Sequence, residues 1–434
     1  MSIEELYRLY LEHPIISTDT RKISQGCIFF ALKGEKFDAN TFAAQAIEAG
    51  AAYAVIDNAD YRANSQCILV DNVLATLQDL ARYHRQQLGI PVVGLTGSNG
   101  KTTTKELINA VLSQHFNTYA TQGNLNNHIG VPLSILAIRP EHEMAVIEMG
   151  ANHQKEIEFL CTISQPSHGL ITNIGKAHLE GFGGVDGIKK GKGELYDFLK
   201  ATNGTTFVNS NSTALMEMQE ARHLKQVVFY GDHPSALVSG EVLENSPYLE
   251  LQWKNNKTLE SHRIKTQLTG AYNLDNILAA ITIGCWFNLA AHEINQGIEG
   301  YQPKNNRSQL LTTATNTLIC DYYNANPSSM AVAIENLDKL KADKKVIILG
   351  DMFEMGEDAP AEHKAILEKA MAAHFDERIF IGEEFYKLSE TPGASFYRTA
   401  EDAINVLKAN PVTQSTVLIK GSRGMALERL VELF

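Results

Sequence analysis

Cysteines are few in this sequence, and none are paired at short spacing. The five, at positions 27, 67, 161, 285 and 320, form no CxxC motif, which argues against a disulfide framework or a zinc site and indicates a reducing compartment. No apolar stretch reaches the roughly 18 residues of a membrane span, and the acidic first residues do not resemble a secretory signal. We therefore expect a cytoplasmic protein without a membrane span.

Positive charge is also in deficit. The 434 residues include 38 Lys and Arg against 50 Asp and Glu, which gives a formal net charge of −12. Nucleic-acid phosphates attract clustered Lys and Arg, so we expect no nucleic-acid partner. The apolar fraction of 44% is enough for a substantial core and excludes a largely disordered chain.

The pattern of apolar residues divides the chain into three regions of an α/β protein. Residues 1–89 mix short strands with helices and end at Gly89-Ile90-Pro91, a helix stop. Residues 90–302 alternate strands and helices, which predicts a mostly parallel, doubly wound sheet, with antiparallel strands added at 233–268. Residues 303–434 repeat the alternation and predict a second, Rossmann-like domain.

A glycine-rich loop is the most specific motif. An apolar strand at 92–95 leads into Gly97-Ser98-Asn99-Gly100-Lys101-Thr102-Thr103, and a helical pattern follows. Such a loop turns backbone N–H groups toward phosphate oxygens, and the helix N-terminus adds positive potential. Lys101 can reach terminal phosphates, and Thr102 can ligate Mg²⁺. The first glycine is displaced, because the general GxxxxGK[ST] pattern would place it at Leu95.

Other polar residues follow predicted strands, where ligands bind in parallel sheets. Glu148 ends one strand and can ligate Mg²⁺, although a solvated carboxylate is the simpler interpretation. His178 follows the next strand, and a lone histidine is more often structural than a ligand. Lys192 belongs to a basic run that alone indicates a solvated helix start. Asn273 can simply cap the helix that it opens.

Together these motifs resemble the Mur ligase family along the whole chain. TGSNGKTTT is similar to the variant P-loop of that family, which accounts for the displaced glycine. The resemblance continues in the segments at 123–132 (GNLNNHIGVP), 148–151, 321–330 (DYYNANPSSM), 349–356 (LGDMFEMG) and 420–423 (KGSR). It implies three domains: an N-terminal uridine-nucleotide-binding α/β domain, a central P-loop ATPase-like domain, and a C-terminal Rossmann-like domain.

The resemblance also implies a reaction. ATP would activate the terminal carboxylate of a UDP-N-acetylmuramoyl-tripeptide as an acyl phosphate, and the amine of D-alanyl-D-alanine would displace phosphate. The products would be the UDP-linked pentapeptide, ADP and phosphate, in peptidoglycan precursor synthesis. The implied cofactor is Mg²⁺, and the family likeness favours a monomer.

Individual roles follow from the same resemblance. The implied catalytic residues are Lys101, Glu148, His178, Lys192 and Arg307. Thr102, Glu148, His178 and Lys192 would hold Mg²⁺, with Lys192 carbamylated by CO₂ to give oxygen donors. ATP would contact Gly97, Ser98, Asn99, Gly100, Lys101, Thr102, Thr103, Asn273, Asn276, Arg307 and Asp321. Substrates would contact Thr20, Arg21, Asp38, Asn126, Asn127, Asn324, Asn326, Lys420, Ser422 and Arg423. The family usually has glycine before the arginine, where this chain has Asn306.

Arg307 and Asp321 lie in the third region and the P-loop in the second, so we expect a site completed by domain closure, with a hinge near 300–304.

Three alternatives remain open. The first is a related ligase, either the tripeptide-forming enzyme or a folylpolyglutamate synthase. The first 89 residues argue against folate, and the absence of a DNPR-like motif argues against the tripeptide-forming enzyme. The other two are a P-loop ATPase that switches a partner and a binding module without catalysis.

Overall fold

The computed structural model describes residues 1–304 and 306–434, which form an α/β protein with three main sheets. We keep the predicted divisions as names: the N-terminal region (1–89), the central region (90–302) and the C-terminal region (303–434). The boundaries themselves stay predictions.

The N-terminal region has a parallel four-stranded sheet in the order β1-β2-β5-β6 and a separate β3–β4 hairpin. Its strands are β1 (Ile16–Ser17), β2 (Ile28–Phe30), β3 (Lys33–Gly34), β4 (Phe37–Asp38), β5 (Tyr53–Ile56) and β6 (Cys67–Leu69). Its helices are α1 (Ile3–Glu12), α2 (Ala43–Glu48) and α3 (Val73–Gln87). Helix α1 begins with a capping box, in which Ser2 and Glu5 each bond to the other's backbone N–H.

The central region is a nine-stranded sheet in the order β15-β14-β13-β12-β11-β10-β7-β9-β8. Its strands are β7 (Val92–Thr96), β8 (Thr118–Ala120), β9 (Met144–Glu148), β10 (His168–Ile171), β11 (Thr205–Asn209), β12 (Val227–Tyr230), β13 (Val238–Asn245), β14 (Leu249–Asn255) and β15 (Ser261–Lys265). Its helices are α4 (Lys101–Leu112), α5 (Gly130–Leu136), α6 (Glu156–Ser164), α7 (Leu179–Phe182), α8 (Val185–Ala201), α9 (Thr213–Arg222), α10 (Asn273–Trp286) and α11 (Ala291–Gly300).

The strands from β7 to β13 pair in parallel, and β14 is antiparallel to both β13 and β15. The antiparallel strands expected at 233–268 are therefore present, and β13 joins them to the edge of the main sheet beside β12. Every residue of β7 and β9 is buried, as expected for parallel strands covered on both faces.

The C-terminal region is a six-stranded sheet in the order β16-β17-β21-β18-β19-β20, in which β16 is antiparallel. Its strands are β16 (Gln309–Thr312), β17 (Thr317–Asp321), β18 (Lys345–Gly350), β19 (Glu377–Ile381), β20 (Ser395–Tyr397) and β21 (Thr416–Lys420). Its helices are α12 (Pro327–Lys339), α13 (Ala359–Ala372), α14 (Glu383–Tyr386) and α15 (Ala400–Ala409).

A buried polar network joins the N-terminal region to the central region. The Arg139 guanidinium donates to Pro14 O at 2.7 Å, to Leu136 O at 2.7 Å and to the Tyr10 hydroxyl at 3.1 Å. Tyr10 itself donates to Leu136 O, and His84 bonds to Ile138 O at 3.0 Å. Since every one of these groups has a partner, the junction is held by satisfied hydrogen bonds as well as by apolar packing.

Across the described ranges, none of the helices is both long and apolar enough to cross a membrane.

Candidate functional site

A cleft of about 1120 Å³ lies between the central and C-terminal regions. The loops after β7, β9 and β10 form one wall, and the loops after β17 and β18, together with Lys420 at the end of β21, contribute to the other. Seventeen of the residues singled out from the sequence line it: Ser98, Asn99, Gly100, Lys101, Thr102, Thr103, Asn126, Asn127, Glu148, His178, Asn273, Asn276, Arg307, Asp321, Asn324, Asn326 and Lys420. The cleft exceeds the range of about 300–1,000 Å³ that is usual for one small ligand, so it has room for a nucleotide and part of a second substrate.

The glycine-rich loop is a turn between β7 and the N-terminus of α4. Gly100, at φ +76°, occupies the left-handed region that glycine adopts at little cost. The Lys101 ammonium folds back over the loop, with Nζ 2.7 Å from Gly97 O and 3.2 Å from Ser98 O. Burial lowers the pKa of Lys101 to about 8, an effect that Glu148 opposes and Arg307 reinforces. Positive charge thus converges where the helix dipole also favours an anion.

Thr102 and Glu148 meet at the floor of the cleft. The Thr102 hydroxyl donates to Glu148 Oε2 at 3.0 Å, and Asn126 Nδ2 donates to Glu148 Oε1 at 2.8 Å. Glu148 is only 1% exposed, yet within the described part of the chain no Lys, Arg or His side chain forms an ion pair with it. A buried carboxylate with only neutral donors is an incomplete site for a charge, because buried charges are normally paired or bind a cation.

This donor set fits Mg²⁺. A carboxylate and a hydroxyl are hard oxygen ligands, and Mg²⁺ commonly takes one or two carboxylates together with waters and substrate phosphates. Among residues 1–304 and 306–434, no three His, Cys, Asp or Glu side chains cluster as an all-protein metal cage. A magnesium ion here would therefore be shared with the nucleotide rather than held by protein alone.

Asn273 and Asn276, at the start of α10, lie directly behind the loop. Thr104 Oγ1 donates to Asn276 Oδ1 at 3.0 Å, and Asn276 Nδ2 donates to Asn273 Oδ1 at 2.9 Å. A Cβ atom on Gly100 would lie 2.7 Å from Asn276 Oδ1. The two amides are buried and already bonded, so Asn276 packs against Gly100 from a fixed position.

Arg307 enters from the C-terminal region and stacks on Tyr323. Its guanidinium carbon is 3.8 Å from the ring centroid, and its buried Nε has no hydrogen-bond partner among the described residues. The preceding Asn306 adopts φ +57°, a left-handed conformation that asparagine tolerates better than most side chains. Asparagine thus takes the turn in which the family usually has glycine.

Asp321 is paired rather than free. Its Oδ2 lies 2.6 Å from Lys420 Nζ, and its Oδ1 accepts from the Ser308 N–H at 3.2 Å. Asp321 ends β17 and Lys420 ends the neighbouring strand β21, and the two residues are in register.

His178 and Lys192 were predicted as metal ligands, and they lie in different surroundings. His178 lines the cleft, where its Nδ1 hydrogen-bonds to Glu354 Oε2; burial lowers the pKa of His178, and Glu354 opposes that shift. Lys192 is 2% exposed and lies behind the cleft wall, where its Nζ donates to Ala151 O at 3.1 Å. Burial, reinforced by the charge of Lys101, lowers the pKa of Lys192 well below its ordinary value.

Several predicted residues do not line the cleft. Arg21 pairs with Asp19 at 2.8 Å on the surface of the N-terminal region, next to Thr20, and Asp38 accepts from the Asn40 N–H at 2.9 Å. Gly97, Lys192, Ser422 and Arg423 lie just outside it. The Ser422 hydroxyl accepts from the Phe353 N–H at 3.0 Å, so it supports a neighbouring loop instead of facing a ligand.

Sequence reasoning missed two cleft residues with clear contacts, Tyr323 and Glu354. Both lie in segments that carried the family resemblance, but neither was singled out. Glu354 lies just beyond β18, so the rule that selected Glu148, a polar residue after a parallel strand, would have flagged it. No sequence signal identified Tyr323 as the surface on which Arg307 stacks.

Three family models match the chain. The model for the Mur ligase family, catalytic domain, matches residues 13–85, the Mur ligase middle domain matches 95–284, and the Mur ligase glutamate ligase domain matches 306–423.

Full-length relatives agree with these matches. A Bacillus subtilis protein named UDP-N-acetylmuramoyl-tripeptide–D-alanyl-D-alanine ligase is 34% identical, over 96% of this chain and 92% of its own. A crystal structure of MurF from Acinetobacter baumannii superposes with a TM-score of 0.87 at 32% identity, covering 96% of this chain and 92% of that one. MurF ligase from Thermotoga maritima in complex with ADP gives a TM-score of 0.85 at 25% identity, covering 97% and 96%.

Proposed function

Because the chain belongs to the Mur ligase family, we propose that it is an ATP-dependent ligase that adds D-alanyl-D-alanine to a UDP-N-acetylmuramoyl-tripeptide. The products are the UDP-linked pentapeptide of peptidoglycan precursor synthesis, ADP and phosphate. Full-length similarity to a relative named for this reaction carries the proposal. The cleft supports it, because a phosphate-binding loop faces polar side chains of the C-terminal region across one space.

The chemistry starts from a carboxylate, which is a poor electrophile until one oxygen becomes a leaving group. A carboxylate oxygen of the tripeptide attacks the γ-phosphorus of ATP, the bond from that phosphorus to ADP breaks, and an acyl phosphate forms. The dipeptide amine then attacks the acyl carbon and loses a proton, and the tetrahedral intermediate expels phosphate. ATP and the carboxylate are both anionic, so cations must offset their repulsion.

We assign that positive charge to Lys101 and Arg307. Lys101 lies at the N-terminus of α4, within the loop expected to hold the phosphates. Arg307 approaches from the opposite wall, and stacking on Tyr323 leaves its guanidinium edge available to an anion. Thr102 and Glu148 would hold Mg²⁺, which when bound adds positive charge at the phosphates.

Contact between the two walls would protect the acyl phosphate from water. Asn326 Nδ2 donates to Asn99 Oδ1 at 2.7 Å, and the Lys176 N–H donates to Ser328 Oγ at 2.9 Å, so the loop after β17 rests on the phosphate loop and its neighbour. We infer that these contacts open to admit substrates, with the hinge near residues 300–304. Solution scattering with and without ADP tests this, and identical profiles would count against it.

The substrate-binding roles remain proposals. Thr20, Arg21 and Asp38 would contact the uridine nucleotide, and Asn127, Asn324 and Arg423 the peptide. Asn126 and Lys420 already bond to Glu148 and Asp321, so any contact with a substrate would be shared with those acids. Asn273, Asn276 and Asp321 keep their proposed place near the nucleotide by resemblance alone. We further propose a cytoplasmic protein, since the five cysteines are free thiols as expected of a reducing compartment, and a monomer by family likeness alone.

Carbamylation of Lys192 is a separate hypothesis, to which the comparisons add no support. In its favour, a buried lysine with a lowered pKa is a neutral amine more often, and the neutral amine is what adds to CO₂. Intact mass of protein held in bicarbonate, measured under non-denaturing conditions, tests it. A Lys192→Arg variant serves as the unmodifiable control.

The proposed function is tested by phosphate release from ATP in the presence of the UDP-linked tripeptide, with and without D-alanyl-D-alanine. We expect release that needs both substrates, together with a UDP-linked pentapeptide identified by mass. Release that ignores the dipeptide would instead indicate an ATPase or a ligase with another amino substrate. Nucleotide binding without turnover under any substrate combination would indicate a binding module.

A further inference from the structure

Two loops from different regions meet at the rim of the cleft. The latch, as we call it, consists of residues 174–184 after β10 and residues 351–362 after β18. Lys176 Nζ lies 2.5 Å from Glu362 Oε1, and a Cβ atom on Gly356 would lie 3.2 Å from Glu180. Between these contacts, His178 Nδ1 hydrogen-bonds to Glu354 Oε2. The His178–Glu354 pair is therefore one part of a broader contact between regions.

Both members of the pair have left-handed backbones. His178 adopts φ +54° and Glu354 φ +61°. Such conformations are uncommon for residues other than glycine, although less so for histidine than for glutamate, and they persist where surrounding structure holds them, often at functional sites. Each of the two residues is thus held by its surroundings in a conformation in which its side chain meets the other.

The loop that carries Glu354 is fixed from within the C-terminal region. The Met352 N–H donates to Nε2 of the buried His363 at 3.0 Å, and the Phe353 N–H donates to Ser422 Oγ at 3.0 Å. The Asp351 carboxylate accepts from the N–H groups of Glu384 and Phe385 at the start of α14. Glu354 therefore follows three consecutive anchored residues, and its position does not depend on His178.

The pair itself contributes little stability. The Glu354 side chain is 57% exposed, and exposed ion pairs contribute about 0–1 kcal/mol. The hydrogen bond from His178 to Glu354 matters more for the state of the imidazole ring than for the stability of the protein. When Nδ1–H donates to a carboxylate, Nε2 keeps its lone pair, and the ring is held in one orientation.

We propose that Glu354 is a positioning residue for His178, one that fixes its ring tautomer and orientation only when the C-terminal region lies against the central region. The proposal rests on the proposed function and on the metal-binding role that the family resemblance implies for His178. It explains why a histidine on one wall is bonded by an acid from the other. Closure would then complete the site chemically as well as sterically.

The test uses three variants of the full-length protein: Glu354→Ala, Glu354→Gln and, as the matched control, Glu362→Gln. The control removes a charged contact of the same latch that touches Lys176 and not His178. The first readout is the ¹⁵N spectrum of the histidine rings in metal-free protein, with the His178 signals assigned by their loss in His178→Asn. We expect the Nδ1–H tautomer in wild type, in Glu354→Gln, which keeps an acceptor, and in Glu362→Gln. Glu354→Ala should shift the ring to the Nε2–H form or to a mixture.

The second readout is the Mg²⁺ concentration that half-saturates phosphate release. Removing the carboxylate partner of a metal-binding histidine typically weakens metal affinity or activity roughly 10–100-fold, so Glu354→Ala should raise this concentration by about that factor. Glu362→Gln should leave it unchanged. An unchanged His178 tautomer in Glu354→Ala would overturn the proposal, and so would equal Mg²⁺ shifts in Glu354→Ala and Glu362→Gln. The tautomer measurement needs no turnover, so failure of the ligase assay in wild type would refute the proposed function without deciding this inference.

Discussion

Replacing Gly100 by alanine tests whether the glycine-rich loop is held by the asparagine pair behind it. Gly100 adopts φ +76°, and a Cβ atom there would lie 2.7 Å from Asn276 Oδ1, closer than real Cβ contacts come. Asn276 cannot simply rotate away, because it accepts from Thr104 and donates to Asn273. The substitution must therefore strain the backbone and break at least one of these bonds.

The expected loss of stability is the sum of the backbone strain and the lost hydrogen bonds. A left-handed conformation costs an alanine about 1 kcal/mol, and each buried hydrogen bond lost costs about 1 kcal/mol. The free energy of unfolding should fall by about 2–3 kcal/mol. Because the same shift displaces the phosphate loop, ADP should bind at least about tenfold more weakly, which corresponds to about 1.4 kcal/mol.

Gly183→Ala is the matched control. Gly183 adopts a similar φ of +71°, but a Cβ atom there has no neighbour within 4 Å. The free energy of unfolding of this variant should fall only by the cost of the left-handed backbone, about 1 kcal/mol, and its affinity for ADP should not change. Urea denaturation and ADP calorimetry measure both quantities. Equal losses in the two variants would refute the role given to Asn276.

Three further predictions concern charge and burial. Burial lowers the Lys101 pKa to about 8, so ADP affinity should fall as pH rises through 8. The unliganded protein should instead gain stability between pH 8 and about 10.5, since only its unfolded state stays protonated at Lys101 there. Lys101→Arg should abolish the pH dependence of ADP affinity, as measured by calorimetry. Glu148→Gln should keep the fold, seen by circular dichroism, because the amide oxygen still accepts from Thr102. Its kcat/KM should fall at least about tenfold, because the negative charge proposed to hold Mg²⁺ is gone. Arg139→Ala should lower the free energy of unfolding, measured in urea, by about 2 kcal/mol, since Pro14 O loses its donor while Leu136 O keeps Tyr10, whereas exposed Arg62→Ala should be neutral.

The sequence located most strands closely. The strand predicted at 92–95 ends one residue later, at Thr96, and the antiparallel strands predicted within 233–268 are β13, β14 and β15. These elements are apolar runs bounded by Gly, Pro or polar residues, so their signal is local. The helical pattern predicted after the glycine-rich loop is α4, which begins at Lys101 and ends at Leu112.

The chemical identity of the site was also a local property. The run from Gly97 to Thr103 predicts a phosphate loop because glycine, lysine and threonine are needed at adjacent positions between a strand and a helix. Glu148 was found by its place at a strand end. The family resemblance, which rests on contiguous motifs, then supplied the reaction and its substrates.

Pairings between distant residues had no such signal. Nothing in the sequence indicated that Asp321 would pair with Lys420, that Asn276 would back Gly100, or that Arg307 would stack on Tyr323. The hydrogen bond between His178 and Glu354, within the latch, joins residues 176 positions apart and in different regions. Local patterns fix which chemical groups stand at the ends of strands, since each strand and turn is encoded by its own residues. Which of those groups touch depends on how two separate sheets are set against each other, and that arrangement follows from packing across the whole chain.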